Sequence, residues 1–258
     1  MTVTIQNYLE FMTETAYLAG RLTLGYFNTG VRPDYKEDDS PVTIADREAE
    51  QLIRRRIEER FPRHAIVGEE HGEKAGQESE QRWFIDPIDG TKSFIRGVPL
   101  YAVLIGLEIA GRVEAGVAYF PALDEMLAAG SGLGCQLNGR PVRVSQVEDF
   151  AKGVMSFTDI NNFPKYGMAA AFERLAKTCY FRAGWGDAYG YMLAASGRVE
   201  LMLDAAMSAW DCGPLPVILR EAGGYFGDWQ GNETIYAGEG LATSQALLPQ
   251  VLRLIEGK

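Results

Sequence analysis

The segment Trp83-Phe84-Ile85-Asp86-Pro87-Ile88-Asp89-Gly90-Thr91-Lys92-Ser93-Phe94 decides how the rest of the chain is read. Its opening apolar run predicts a buried strand. That strand runs into two acids, a glycine and a hydroxyl ahead of a helix. Asp86 and Asp89 can converge on neighbouring cations, because a hard divalent cation needs several oxygens and carboxylates supply both ligands and charge. The Ile88 carbonyl offers another oxygen. Gly90 and Thr91 then stand at a helix start, where N–H groups and the positive end of the helix dipole favour a phosphate. The same residues also suit a plain turn, with Asp86 as a cap and Asp89-Gly90 supplying a positive φ.

Upstream, Ala65-Ile66-Val67 is a second short apolar run, and Gly68-Glu69-Glu70 follows it. Two buried strands that each end in acids bring carboxylates out together. If the strands are neighbours, Glu69 lies beside Asp86, and close to Thr91 it can help to orient an attacking water. Taken alone, the glutamate pair equally suits a solvated loop. Before it, Pro41-Val42 leads into a helix expected from about Thr43 to Phe61, with Thr43 and Asp46 near its start and Pro62 beyond its end. Ile5, Leu9, Met12, Ala16, Ala19 and Leu22 recur at intervals of three and four, which predicts an amphipathic first helix fading near Gly25.

Downstream, the β-rich runs Tyr101 to Leu107 and Val113 to Phe120 are joined by Ala110-Gly111-Arg112, a hairpin pattern, and shorter strands continue to about Val144. After residue 150 the pattern alternates: a strand at Val154 to Phe157, a helix near Met168 to Ala176, Cys179 to Arg182, a helix near Tyr189 to Ser196, then Val199 to Leu203 and Leu215 to Ala222. The expectation is an α+β half over residues 1–150 with most of the candidate ligands, and an α/β half over 151–258. The second half contains Trp210-Asp211-Cys212-Gly213-Pro214. Its isolated acid suits either a helix cap or a ligand for a second cation.

Composition narrows the chemistry. With 258 residues, 47% hydrophobic, the chain can bury a large core. With a net charge of −10, a basic face for nucleic acid is not expected. Three cysteines at wide spacing and only two histidines, His64 and His71, disfavour disulfide frameworks, zinc sites and Ser-His-Asp catalysis. Carboxylates must carry the chemistry. No apolar stretch reaches the roughly 18 residues of a membrane span, so a soluble cytoplasmic protein is expected.

Taken together, Pro41-Val42-Thr43 to Asp46, Gly68-Glu69-Glu70, Asp86 to Thr91, and Trp210-Asp211 followed by Glu221-Ala222-Gly223-Gly224 resemble the inositol monophosphatase family of metal-dependent phosphatases. The resemblance runs from the first helix almost to the C-terminus. It implies an αβαβα layered sandwich, a homodimer, a small phosphate monoester as substrate, and two or three Mg²⁺ ions that Mn²⁺ can replace, with Li⁺ inhibition in many members. Carried over by motif, Glu69, Asp86 and the Ile88 carbonyl would bind a first ion, and Asp86, Asp89 and Asp211 a second. Asp46 would hold a third through water. Glu69 with Thr91 would position the nucleophile, the N–H groups of Gly90 and Thr91 would bind phosphate, and Lys36 would screen the site.

Specificity must lie in the second half. Arg182-Ala183-Gly184-Trp185-Gly186-Asp187-Ala188-Tyr189-Gly190-Tyr191 departs from the small-residue run of inositol phosphatases. With Gly227-Asp228-Trp229-Gln230-Gly231 it looks like the histidinol-phosphatase branch. Histidinol phosphate carries an ammonium and an imidazole, which acids recognise by charge-assisted hydrogen bonds. Asp187 and Asp204 are the candidates, and Arg182 and Trp185 either shape the pocket or serve as a surface arginine and a core tryptophan. Hydrolysis of inositol, sugar or nucleotide phosphates is the alternative, and a non-catalytic binder the competitor from another class.

Overall fold

In a computed structural model that describes residues 3–77 and 80–258, the central segment forms the strand Gln81–Asp89. Side chains alternate across a strand, so Trp83 and Ile85 enter one core cluster while Phe84 enters another. Apolar burial on both faces places this strand inside a sheet. It lies sixth in an eight-stranded sheet built from residues 65–141, parallel to Ala65–Gly68 and antiparallel to Ala102–Ile109. The Ala102–Ile109 and Arg112–Phe120 strands form the expected hairpin.

Layers follow from which faces are apolar. The helices Ile5–Leu24 and Ile44–Arg60 cover one face of this sheet through Met12, Ala16, Ile53 and Ile57. On its other face lie Asp187–Ala195 and Leu215–Glu221, which also pack on a five-stranded sheet built from residues 154–244. Ala169–Thr178 and Leu248–Glu256 close the far side through Leu175 and Val251. This is an αβαβα sandwich. Thr43 caps its helix with a reciprocal pair in which Asp46 receives the Thr43 N–H, worth about 1 kcal/mol.

Apart from the helix Leu248–Glu256, which the sequence reading also left out, the main elements it missed are short or glycine-bounded: the Asp34–Tyr35 and Pro41–Val42 ribbon, Gly72–Lys74, and the pair Gly224–Gly227 and Gly240–Ser244. Such segments carry too few residues for a period to register. One glycine pair matters for the site. Gly106 and Gly116 face each other across the hairpin, and a Cβ on either would stand 2.3 Å from the Gly213 carbonyl or 2.6 Å from that of Pro214. Only bare backbone lets the Gly213-Pro214 segment lie on the sheet, and that contact carries Asp211 to the neighbouring strand end. The three cysteines are free and buried, and no helix among the described residues is long and apolar enough to cross a membrane.

Candidate active site

Strand ends assemble the site. Ala65–Gly68 and Gln81–Asp89 run parallel, so their carboxyl ends deliver Glu69 and the two aspartates to the same edge. Residues three apart on a regular strand face opposite ways. Here Asp86 pairs with Leu104 and Asp89 with Ala102, a one-residue bulge that returns both acids to one side. Asp211, in the short helix Ala209–Cys212, completes a group in which carboxylate oxygens of Asp86, Asp89 and Asp211 lie within 4.8 Å of one another.

The group is held by backbone donors. Ser208 N–H donates to Asp211 Oδ2 at 2.7 Å and Ala188 N–H to Asp89 Oδ2 at 2.6 Å. Burial, then the facing charges of Glu69, Asp89 and Asp211, pushes Asp86 well above the usual carboxylate range. Burial likewise drives up Asp89, and Asp211 is pushed up to about 7. Oxygen ligands crowded this closely need either protons or cations between them, so the donor set fits a hard divalent ion.

Asp46 and Thr91 meet directly. The Thr91 hydroxyl lies 3.2 Å from Asp46 Oδ1 and 3.0 Å from the Ile88 carbonyl, while Asp46 Oδ2 accepts the Thr43 hydroxyl at 2.6 Å. Thr91 is thus paired with Asp46. Glu69 instead accepts Lys36 Nζ at 2.8 Å, and the same ammonium reaches Glu70 at 2.7 Å. Burial alone would lower the Lys36 ammonium, but its bonds to the two glutamates outweigh this and hold it above its ordinary value. Gly90 sits at φ 85° before the helix Thr91–Phe94.

Across the cleft, the parallel strands Val154–Phe157 and Leu201–Asp204 end at Thr158 and Asp204, and Asp187 follows the strand Phe181–Ala183 by four residues at the start of the helix Asp187–Ala195. Thr158, Asn162, Asp187, Asp204, Ala206 and Met207 line one cavity with Asp89 and Asp211. Asp187 adopts φ 53°, with its N–H donated to Thr158 Oγ1 at 2.8 Å. A Cβ on Gly90 would come within 3.1 Å of its carboxylate. Asp204 accepts the Tyr191 hydroxyl at 3.1 Å and burial pushes it up to about 8.

Two sheets presenting acids at the carboxyl ends of parallel strands, with Thr91 at the head of a helix, reproduce the order of the four motifs in space. The sequence matches the inositol monophosphatase family over residues 4–257. The chain belongs to the inositol monophosphatase family. It is 44% identical over 237 residues to a histidinol-phosphatase of Chlorobaculum parvum, covering 92% of this chain and 91% of that one. A histidinol-phosphatase of Mycobacterium tuberculosis is 35% identical, with 86% and 87% covered. The solved inositol monophosphatase of Anabaena (Nostoc) sp. PCC 7120 superposes with a TM-score of 0.87 at 29% identity, covering 99% of this chain and 97% of its own.

Within this family fold, two residues expected at the pocket stand elsewhere. Arg182 lies on the sheet's edge strand, where its guanidinium donates to the Ala176 carbonyl. Trp185 is 41% exposed and packs on Phe181 with ring centroids 6.1 Å apart. Neither lines the cavity with Asp187. The Gly227 to Gly231 motif is also removed from it: Trp229 is buried in the far core against Phe163, the neighbour of Asn162. Thr158, Asn162 and Met207 are the residues the sequence reading passed over, and Glu70 and Tyr191 stood within quoted motifs without a role of their own. Thr158 alone carried a usable mark, as the polar residue directly after a recognised strand.

The crowded acids imply a stability that depends on pH and metal. Asp86, Asp89, Asp211 and Asp204 have folded pKa values above their unfolded ones, so between about pH 4 and 8 the folded chain holds protons that the unfolded chain has released. The contribution of Asp211 and Asp204 is full at low pH and is lost as pH rises through about 7 and 8, and that of Asp86 and Asp89 is lost in the same direction. Protein stripped with EDTA should therefore lose Tm between pH 5.5 and 8, and Mg²⁺ should restore about 5 °C at pH 8 and little at pH 5.5. Calorimetry with and without Mg²⁺ checks this; equal Mg²⁺ effects at both pH values would contradict it.

Proposed function

We propose that this chain is a Mg²⁺-dependent phosphomonoesterase that hydrolyses histidinol phosphate to histidinol and phosphate. The supporting observation is the pair Asp187 and Asp204, which line the same cavity as the candidate ligands Asp89 and Asp211. A cavity walled by acids beyond those a cation needs suits a leaving group that is itself cationic. The names of the two curated relatives agree with that reading.

Glu69, Asp86 and the Ile88 carbonyl would hold one ion, and Asp86, Asp89 and Asp211 another, with Asp46 at a third through water. Bound Mg²⁺ acidifies water and offsets phosphate charge, and Mn²⁺ would serve in its place. The protein's own part is orientation. Asp46 and the Ile88 carbonyl fix the Thr91 hydroxyl, which with Glu69 aims the attacking water in line with the phosphorus. The N–H groups of Gly90 and Thr91 receive phosphate oxygens at the head of a helix. Lys36 screens Glu69 and Glu70; residues 1–150 supply most of the ligands, and residues 151–258 supply Asp211 and the specificity residues. A cytoplasmic homodimer completes the reading.

The test is phosphate release with Mg²⁺ and EDTA controls. The kcat/KM for histidinol phosphate should exceed that for inositol 1-phosphate by about a hundredfold, the order expected from two charge-assisted contacts. The reverse preference would reassign the substrate to inositol or sugar phosphates and leave the metal chemistry standing.

A further inference from the structure

The helix Ile44–Arg60 does more than present Asp46. Arg47, Glu50 and Arg54, three and four residues apart on one face, grip the turn that follows Ala65–Gly68. Glu50 Oε2 accepts the Glu70 N–H at 2.6 Å and Oε1 accepts the His71 N–H at 3.1 Å. Arg54 Nε donates to Glu50 Oε1 at 2.6 Å, and its Nη2 donates to the Gly72 carbonyl. His71 Nε2 lies 3.2 Å from the Arg47 carbonyl, which requires that nitrogen to carry the proton.

The Glu50 side chain is 0% exposed. Enclosing a carboxylate and a guanidinium costs several kcal/mol of desolvation, and an apolar pair of the same volume would stabilise a helix against a sheet as well or better. The fold also makes room for it: a Cβ on Gly68 would stand 2.2 Å from Glu50 Oε1. What the carboxylate gains in return is control of two successive backbone N–H groups immediately after Glu69. Glu69 N–H is tied in turn to the Ile85 carbonyl at 3.2 Å. Glu69 is therefore fixed between the sheet on one side and the Glu50 clamp on the other.

We propose that Glu50, braced by Arg54, is a positioning residue that sets the direction of the Glu69 carboxylate and thereby the affinity of the site for a divalent cation. This rests on reading Glu69 as a ligand. Glu50 reaches no ion or substrate itself; it acts through the backbone of Glu70 and His71. Because Asp46 lies on the same helix, the clamp also keeps the Asp46 and Glu69 carboxylates in register.

Direct Mn²⁺ binding to the full chain, followed by calorimetric titration, tests this alongside Tm without metal. Glu50→Gln keeps the shape but turns one acceptor into a donor that faces donors. It should weaken Mn²⁺ binding about tenfold, the usual cost of losing a partner behind a ligand. The KM for phosphate ester at saturating Mn²⁺ should stay within about twofold, because substrate contacts are untouched. A lowered Tm with unchanged Mn²⁺ affinity would assign Glu50 a structural role alone and overturn the proposal. If Glu50→Gln does not fold, Gly68→Ala displaces the same carboxylate without changing charge and must weaken Mn²⁺ binding likewise; unaltered affinity there overturns it too. Wild-type protein that binds no Mn²⁺ would instead remove the metal-site reading, and this proposal with it.

Discussion

Asp89→Asn should lower kcat about a thousandfold, roughly 4 kcal/mol of transition-state stabilisation, while the metal-free protein keeps or gains Tm. The two halves of that expectation come from one geometry. Asp89 Oδ2 takes the Ala188 N–H at 2.6 Å, a bond that an asparagine carbonyl oxygen can keep, so the helix start at Asp187 stays in place. The amide adds no charge. In a site where Asp86 and Asp211 lie within 4.8 Å, removing one buried like charge relieves repulsion in the absence of metal. The same removal deprives a divalent ion of a ligand and of charge balance. Turnover on a phosphate ester at saturating Mg²⁺, with Tm measured in EDTA, reads both. Near-normal kcat would refute the ligand assignment, and a large fall in Tm would trace lost activity to the fold.

How much of this was legible in the sequence depends on how far each residue's position is set locally. Glu69, Asp86 and Asp89 could be read because apolar runs of strand length stop abruptly at acids, and two such runs close together in the chain readily pair. The bulge that turns Asp86 and Asp89 to one side is also local, lying at Pro87 and Ile88. Asp211 is different. Its place is set by the close approach of Gly213-Pro214 to Gly106 and Gly116, residues about 100 positions away whose glycine identity says nothing by itself about a partner. Only the match of separate motifs to a family brought Asp211 into the site.

The specificity segment shows the limit most clearly. Read as a string, Arg182 to Asp187 looks like one unit. In space it is an edge strand followed by a turn, so neighbours in sequence end up in different surroundings. Asp187 alone of the proposed trio faces the cavity, while Arg182 caps a carbonyl of the neighbouring helix end and Trp185 stays at the surface. Asn162 was illegible for the opposite reason: a single polar residue carries no periodicity, and its importance comes from the strand ends that surround it.

Asp187→Asn should erase most of the substrate preference with little change in kcat. Asparagine tolerates the φ of 53° that Asp187 adopts and retains the N–H donated to Thr158, so the backbone should hold while the charge goes. A charge-assisted hydrogen bond to an ammonium or imidazolium contributes about 1.5–3 kcal/mol, so the KM for histidinol phosphate should rise tenfold to about a hundredfold. Inositol 1-phosphate, which presents hydroxyls to the same wall, should bind as well or better. Asp204→Asn should act in the same direction above about pH 8, where its carboxylate, which shares Thr158 with Asp187 and lies in the same cavity, is charged. The decisive measurement is the ratio of kcat/KM for the two esters in each variant. Equal losses on both substrates would make these acids part of the metal scaffold, and an unchanged ratio in both variants would remove them from substrate recognition.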